Sequence, residues 1–159
     1  MAAERKRSIR REHSDGAGPA PAGKPRPRPV SPSPDVRLEI RDAREIRPEL
    51  LEFFPYEFPG SPATVEISTD EFTAVCPWSG LPDFGTVTVR YLPRARVLEL
   101  RAFKYYLLSY RNVGVYQEHA ANRILSDLVR VTSPKWMDLE LDYRVRGGVH
   151  TVVRVRWPT

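Results

Sequence analysis

The chain has 159 residues, 41% of them apolar, and this length and composition predict one folded domain with an ordinary core. Its single cysteine excludes an intramolecular disulfide and a zinc site built of cysteines. The sequence contains no run of about 18 apolar residues, so it predicts no membrane span. The first residues lack the apolar stretch of a secretory signal, and we therefore expect a cytoplasmic protein.

The net charge of +5 is concentrated near the N-terminus. Residues 1–35 contain eight Lys or Arg and four Asp or Glu, a net charge of +4, so the remainder is nearly neutral. Residues 1–34 are also rich in proline and lack an apolar period, which predicts a disordered basic tail before one domain over residues 35–159. Composition favours a solvated extension, with an RNA-tethering arm as the alternative. The neutral remainder argues against direct binding of nucleic acid by the core.

Alternating apolar and polar residues predict four strands in two pairs. Residues 63–68 and 86–91 alternate in this way and form the first predicted pair. Residues 137–145 and 149–157 alternate as well, and the glycines between them predict a hairpin.

Between the two strand pairs, the apolar period becomes that of a helix. Residues 103–110 and 120–129 repeat at helical spacing, and Pro134 follows the second stretch. The order strand-strand-helix-helix-strand-strand predicts an α+β domain, with a four-stranded antiparallel sheet and two helices on one face. The open edges of such a sheet predict a homo-oligomer that pairs through them.

The only cysteine lies in a loop between the first two predicted strands, in the segment Cys76-Pro77-Trp78-Ser79-Gly80-Leu81-Pro82-Asp83-Phe84. A lone cysteine is most often a small buried apolar residue, but a rigid loop is a common place for a functional group. A thiolate nucleophile needs a proton donor nearby, and Asp83 can provide one. No histidine is close in sequence, so a Cys–His protease arrangement has little support.

Two further clusters could bind ligands. Arg101 and Lys104 are three residues apart, so at the start of a helix they share a face and, with the helix amides, suit a phosphate. The alternative is a solvated face paired with Glu99. Glu118 falls near the first turn of the second helix, where the dipole favours a carboxylate. It can accept the two N–H donors of a guanine-type edge, or it can be a plain acid at a helix start.

The order of these segments resembles that of the NADPH-dependent 7-cyano-7-deazaguanine reductases of queuosine biosynthesis. These nitrile reductases have the tunnelling fold (T-fold), which they share with GTP cyclohydrolase I. The resemblance covers residues 61–149 and rests on four motifs, Cys76–Phe84, Glu99–Tyr106, Leu108–Asn112 and Arg146–Gly148.

The resemblance implies a role for each matched residue. Cys76 would attack the nitrile carbon and form a covalent thioimidate, and Asp83 would donate the proton to the nitrogen. The substrate would contact Glu118, Gln117 and Glu99. The cofactor NADPH would contact Leu100, Arg101, Ala102, Lys104, Arg146 and Gly147. Two NADPH would reduce the nitrile to an aminomethyl group, without a metal, at the subunit interfaces of a homo-oligomer, commonly a decamer of two stacked pentamers.

Two positions depart from the family pattern. Arg101 stands where the family has Lys, and the two side chains are not equivalent at a phosphate. Gln117 stands where the family usually has His, and it cannot titrate near neutral pH, so proton transfer must then use Asp83, water or another group.

Three other functions remain open at this stage. An amidine-forming transferase acting on tRNA-borne cyano-deazaguanine would share Cys76 and Asp83 but would not need the Glu99–Tyr106 motif. A non-catalytic RNA-binding module would depend on the tail and not on Cys76. A zinc cyclohydrolase has the least support, because the chain lacks a cysteine-and-histidine ligand set.

Overall fold

The computed structural model describes residues 39–158, and the predicted tail over residues 1–34 lies outside this range. After two short 3-10 turns, the elements are β1 (Phe53–Pro55), β2 (Val65–Val75), β3 (Pro82–Leu92), β4 (Arg96–Leu98), α1 (Leu100–Leu108), α2 (Gln117–Thr132), β5 (Trp136–Tyr143) and β6 (Val152–Trp157). The predicted α+β class is confirmed, and the order of the four long strands and two helices is compatible with the predicted one, with the short strands β1 and β4 in addition. The sequence periods did not indicate β1 and β4.

The main sheet is antiparallel with the strand order β2-β3-β5-β6. Its central strands β3 and β5 bury alternate residues, among them Val87, Val89, Leu139 and Leu141, which are at most 1% exposed. Because successive side chains of a strand point to opposite faces, these residues form one apolar face that the helices cover. The short strands β1 and β4 pair separately.

The two helices pack their apolar stripes against this face. In α1 the buried residues are Ala102, Phe103, Tyr106 and Leu107, which recur at intervals of three and four as an amphipathic helix requires. The longer α2 ends where Ser133 takes a left-handed conformation with φ of 46°, directly before Pro134. Neither helix in residues 39–158 combines the length and apolar character that a membrane span requires.

A buried polar network joins the two helices. The carboxylate of Asp127 on α2 is 3% exposed and accepts a hydrogen bond from the Tyr106 hydroxyl at 2.8 Å. It also accepts from Arg123 Nε at 2.9 Å and from Arg130 Nη2 at 2.8 Å. The Tyr106 hydroxyl lies 2.8 Å from that of Tyr110, so one carboxylate satisfies the polar groups of both helices in the core.

The observed strands of the last hairpin are shorter than the predicted ones. β5 ends at Tyr143 and β6 begins at Val152, two and three residues inside the predicted bounds. The tip is closed by hydrogen bonds of 3.0 and 3.1 Å between the backbones of Arg146 and Val149. The two glycines between them have φ of 60° and 79°, as a tight turn of this kind requires, so the tip has a defined conformation.

Replacing Asp127 should destabilise the fold measurably. We expect Asp127→Ala to lower the free energy of unfolding by about 2–3 kcal/mol, because three donors lose a charged acceptor. Urea unfolding followed by tryptophan fluorescence measures the change. The control is Glu49→Ala, which removes an exposed carboxylate that pairs with Arg47 at 2.9 Å. Equal unfolding midpoints for the two variants would contradict the importance of the network.

Candidate active site

The candidate site lies where β2 ends. The Val75 N–H donates to the Val113 carbonyl at 3.0 Å, and the Val115 N–H donates to the Val75 carbonyl at 3.1 Å. Val75 therefore joins the segment that leads into α2 to the end of β2. Cys76, the next residue, starts a turn beside the first residues of that helix.

The turn after Cys76 is closed by its own backbone. The Cys76 N–H donates to the Leu81 carbonyl at 2.9 Å, and the Gly80 N–H donates to the Cys76 carbonyl at 2.9 Å. Gly80 has φ of 69°, a left-handed conformation that side chains disfavour. The turn therefore holds the half-buried Cys76 in a fixed position.

Hydrogen-bond donors face the Cys76 sulfur and favour the thiolate. The Ser79 hydroxyl has the largest effect on the pKa of the thiol, followed by the Ser79 backbone N–H. Burial opposes them, and the Trp78 N–H and the Arg146 guanidinium add smaller effects. Together they lower the pKa of Cys76 from 9.0 to about 7. Roughly half of the thiol is then ionised at neutral pH, as a nucleophile requires.

The tip of the last hairpin lies across the start of β3. The Arg144 N–H donates to the Phe84 carbonyl of β3 at 2.8 Å and so extends the pairing of β3 with this segment one residue beyond the end of β5. Two residues further on, Arg146 Nη1 lies 2.6 Å from Asp83 Oδ1. Asp83 is only 6% exposed, so the ion pair compensates a buried carboxylate.

The start of α2 forms another wall of the same cleft. Gln117 and the exposed Glu118 occupy its first turn. Beneath them the Tyr143 hydroxyl donates to the Gln117 carbonyl at 3.4 Å. Burial raises the pKa of Tyr143, and the nearby Asp83 and Glu118 carboxylates raise it further, so this phenol stays protonated.

These groups surround an open cleft of about 270 Å³. Its lining residues are Cys76, Pro77, Asp83, Val115, Tyr116, Gln117, Glu118, Arg144, Arg146, Val149 and Thr151. The size suits one small heterocycle, and the polar groups converge from three elements that are distant in sequence.

The residues predicted to bind the cofactor on α1 lie at a different cleft. This cleft has a volume of about 360 Å³ and lies between α1 and β2, with Leu100 and Lys104 in its lining. Lys104 Nζ is paired with Glu71 at 2.8 Å. Arg101 is exposed at the start of the same helix.

Glu99 caps α1 with its own side chain. Its carboxylate accepts hydrogen bonds from the Arg101 N–H at 3.0 Å and the Ala102 N–H at 2.6 Å. These bonds lower the pKa of Glu99. The helix amides that the sequence suggested for a phosphate are thus occupied by Glu99, so a phosphate here must rely on side chains.

The structure therefore divides the predicted site residues between two places. Cys76, Asp83, Gln117, Glu118 and Arg146 share the first cleft, with Gly147 next to Arg146 at the hairpin tip. Glu99, Leu100, Arg101, Ala102 and Lys104 gather at the start of α1. Sequence reasoning gave no role to Ser79, Arg144 or Tyr143. Of these three, only Ser79 could have been found from the sequence, since its position three residues after Cys76 suits a turn that brings it back to the cysteine.

Ser79 should control the ionisation of Cys76. We expect the rate of iodoacetamide alkylation of the native protein to reach half its maximum near pH 7, where the pKa of Cys76 lies. In Ser79→Ala the pKa rises, the thiolate fraction at pH 7 falls, and alkylation at that pH slows about threefold to tenfold.

Mass spectrometry of the alkylated chain over a series of pH values gives both profiles. Ser126→Ala, which changes an exposed serine of α2, is the matched control and should follow the wild-type profile. A Ser79→Ala profile that also matches the wild type would remove Ser79 from this role.

Comparison with known proteins identifies the family. A family model described as "QueF-like protein" matches residues 82–159. A protein of Caldicellulosiruptor bescii named NADPH-dependent 7-cyano-7-deazaguanine reductase is 49% identical over 121 residues, which cover 76% of this chain and 92% of the relative. A protein of the same name from Caldanaerobacter subterraneus subsp. tengcongensis is 48% identical, with 76% and 90% covered.

A solved structure has the same fold. The archaeosine synthase QueF-Like in the apo form superposes with a TM-score of 0.57 and 29% sequence identity, over 60% of this chain and 94% of that one. The family expected from the four sequence motifs is thereby confirmed. The chain belongs to the family of NADPH-dependent 7-cyano-7-deazaguanine reductases.

Proposed function

We propose that this chain reduces the nitrile of 7-cyano-7-deazaguanine to an aminomethyl group with NADPH, through a thioimidate at Cys76. Relatives up to 49% identical are named for this reductase activity. The observation that carries the mechanism is the Cys76 thiol, with a pKa lowered to about 7, in one cleft with the buried Asp83.

The first step adds the thiol across the nitrile. The Cys76 sulfur forms a bond to the nitrile carbon, one π bond of the C≡N group opens, and the nitrogen takes a proton. The proton released by the thiol passes by way of Asp83 to this nitrogen, so atoms and charge balance. A nucleophile and a proton carrier in one cleft meet the requirements of covalent catalysis.

The start of α2 supplies the groups for recognition of the heterocycle. A carboxylate accepts two parallel N–H donors, which is what the pyrimidine edge of a deazaguanine presents. Glu118 in the first turn of α2 is exposed to the cleft and fits this role. Gln117 adds a hydrogen-bonding group beside it but no proton near neutral pH, so the protons for the later steps come from Asp83 or water.

The cations at the start of α1 fit the phosphates of NADPH. Arg101 and Lys104 lie one helical turn apart, and Leu100 is 57% exposed and offers an apolar contact. NADPH, when bound, would supply two hydrides to the former nitrile carbon, one from each of two equivalents, and the Cys76 sulfur would leave this carbon between them. The chain's own part is to hold the phosphates with these side chains, since Glu99 occupies the helix amides.

An amidine-forming transferase is the second candidate, because the archaeosine synthase QueF-Like shares the fold at 29% identity. That reaction needs no hydride, so it gives no reason for Lys104 at the α1 cleft or for Arg101 on the same helix. The reductase accounts for both clefts and is the function we favour. An RNA-binding role of residues 1–34 and a cytoplasmic location stay predictions.

We also propose that copies of the chain associate through β6 of one copy and β2 of the next. Both strands are edges of the sheet, and Val65 and Ile67 on β2, like Val155 and Trp157 on β6, are only partly buried. Edge pairing would cover these side chains and satisfy the free backbone groups. Because neighbouring strands of the sheet alternate in direction, a head-to-tail contact continues the pattern and can close a ring.

Charges on the open sheet face support this pairing. Across the sheet, Glu66, Arg90, Asp138 and Arg156 lie in one row and alternate in sign. Ion pairs join Arg90 to Glu66 and Arg156 to Asp138, each at 2.6 Å. When Arg156 lies opposite Glu66 of the next copy, the alternation continues without a break. The predicted decamer of two pentamers is one closed form of such a ring.

The reductase activity has a direct test in NADPH absorbance. The wild-type chain should oxidise two NADPH per molecule of 7-cyano-7-deazaguanine. Without NADPH, it should form a covalent adduct visible by mass spectrometry. Cys76→Ala should form no adduct, and Asp83→Asn should slow NADPH oxidation by about 100-fold or more because the proton carrier is lost.

The same assay separates the candidates. Amidine formation without NADPH oxidation would favour the transferase. If the wild type neither oxidises NADPH nor forms the adduct with this nitrile, the proposed function is wrong.

The edge pairing can be tested by disulfide cross-linking in a Cys76→Ala background. The double substitution Glu66→Cys and Arg156→Cys should give a ladder of covalent oligomers under oxidising conditions, because side chains opposite each other on neighbouring strands lie within disulfide reach. Each single substitution alone is the control and should give no ladder. A monomer in light scattering, together with no ladder, would contradict the pairing.

A further inference from the structure

Arg146 lies in a position that its expected cofactor role does not explain. Its guanidinium pairs with Asp83 at 2.6 Å, and it lines the same cleft as Cys76, where it helps to lower the pKa of the thiol. One cation thus acts on both groups that the proposed reaction requires. Arg144, two residues before it, lines the same cleft but directs its guanidinium over the Phe84 ring, 5.9 Å from the centroid.

We propose that Arg146 is a positioning residue of the nitrile-addition step: it holds the Asp83 carboxylate by one oxygen and keeps it beside the Cys76 sulfur before the substrate binds. The proposal rests on the proposed function and adds to it. If Arg146 only contacted NADPH, it would have no part in the nitrile addition, because that step precedes hydride transfer.

Electrostatics gives the reason that a cation is needed at this place. The titratable or charged side chains around the pair are Cys76, Asp83, Tyr116, Glu118, Tyr143, Arg144 and Arg146. A thiolate and a buried carboxylate in one small space repel each other. Arg146 is the ion-pair partner of Asp83 among residues 39–158, so its loss leaves that repulsion without compensation.

The geometry also leaves one carboxylate oxygen for the chemistry. Asp83 Oδ1 is held by Arg146, which fixes the plane of the carboxylate. The second oxygen then accepts the thiol proton and passes it to the nitrile nitrogen as the S–C bond forms. The charges of Arg146 and Asp83 are the same before and after the addition, so the ion pair persists through this step.

The test isolates the addition by leaving NADPH out. The full-length wild type and the variants Arg146→Gln, Arg146→Lys and Arg94→Gln are mixed with 7-cyano-7-deazaguanine, and the Cys76 adduct is followed by rapid quenching and mass spectrometry from about pH 5.5 to 9. Arg94 lies exposed in the β3–β4 turn, so its substitution removes the same charge away from the cleft.

We expect Arg146→Gln to form the adduct at least about tenfold more slowly at neutral pH and to reach half its maximum rate at higher pH than the wild type. Arg146→Lys keeps the charge and should restore the pH profile, with a lower rate because its single ammonium holds the carboxylate less firmly. Arg94→Gln should match the wild type in both.

Two outcomes overturn the proposal. Rates and profiles of Arg146→Gln equal to the wild type, with only the KM for NADPH raised, would assign the residue to the cofactor alone. If Arg146→Gln does not fold, as judged by its thermal unfolding midpoint, Arg146→Lys decides, and an adduct rate equal to wild type contradicts the proposal. A wild type that forms no adduct refutes the proposed function itself, which is a different result.

Discussion

Two backbone hydrogen bonds at Val75 hold the parts of the cleft together. They join the end of β2 to Val113 and Val115, and Val75 also pairs with Pro82 at the start of β3. One residue therefore aligns the end of β2, the start of β3 and the segment that precedes α2. Each of these segments leads directly into the cleft: Cys76 follows Val75, Asp83 follows Pro82, and α2 begins two residues after Val115. The proposed chemistry depends on this junction because it brings Cys76, Asp83 and the start of α2 together.

The elements that the sequence predicted are those with a period. β3 and β5 alternate over eight or more residues, and the stripes of α1 and α2 repeat over several turns, so local pattern reports their burial. β1 and β4 have three residues each, too few for a period, and they exist because they pair with one another. The ladder between β5 and β6 stops at the pair Asp142 and Val152, although the apolar alternation in the sequence continues beyond it, so no local pattern indicates these ends.

The candidate site was predictable as a set of residues but not as an arrangement. The order of the motifs predicted that Cys76, Asp83 and Glu118 belong to one site. In the structure all three line one cleft. The effect of Ser79 on the thiol requires the closed turn. The contact of Arg146 with Asp83 requires the hairpin tip to lie across β3. Both are consequences of tertiary packing, so the residue types alone could not indicate them.

The ion pairs of Lys104 and Arg146 differ in how deeply their carboxylates are buried. Lys104 is paired with Glu71, and both side chains are more than half exposed, so a phosphate can replace the carboxylate and water can solvate it. Arg146 is paired with Asp83, whose side chain is 6% exposed, so its departure would leave a buried carboxylate without a partner. A phosphate would therefore draw Lys104 away at little cost and Arg146 only at a large one. In the proposed function, this difference in burial, rather than in charge, would keep Arg146 with Asp83 and leave Lys104 available to the cofactor.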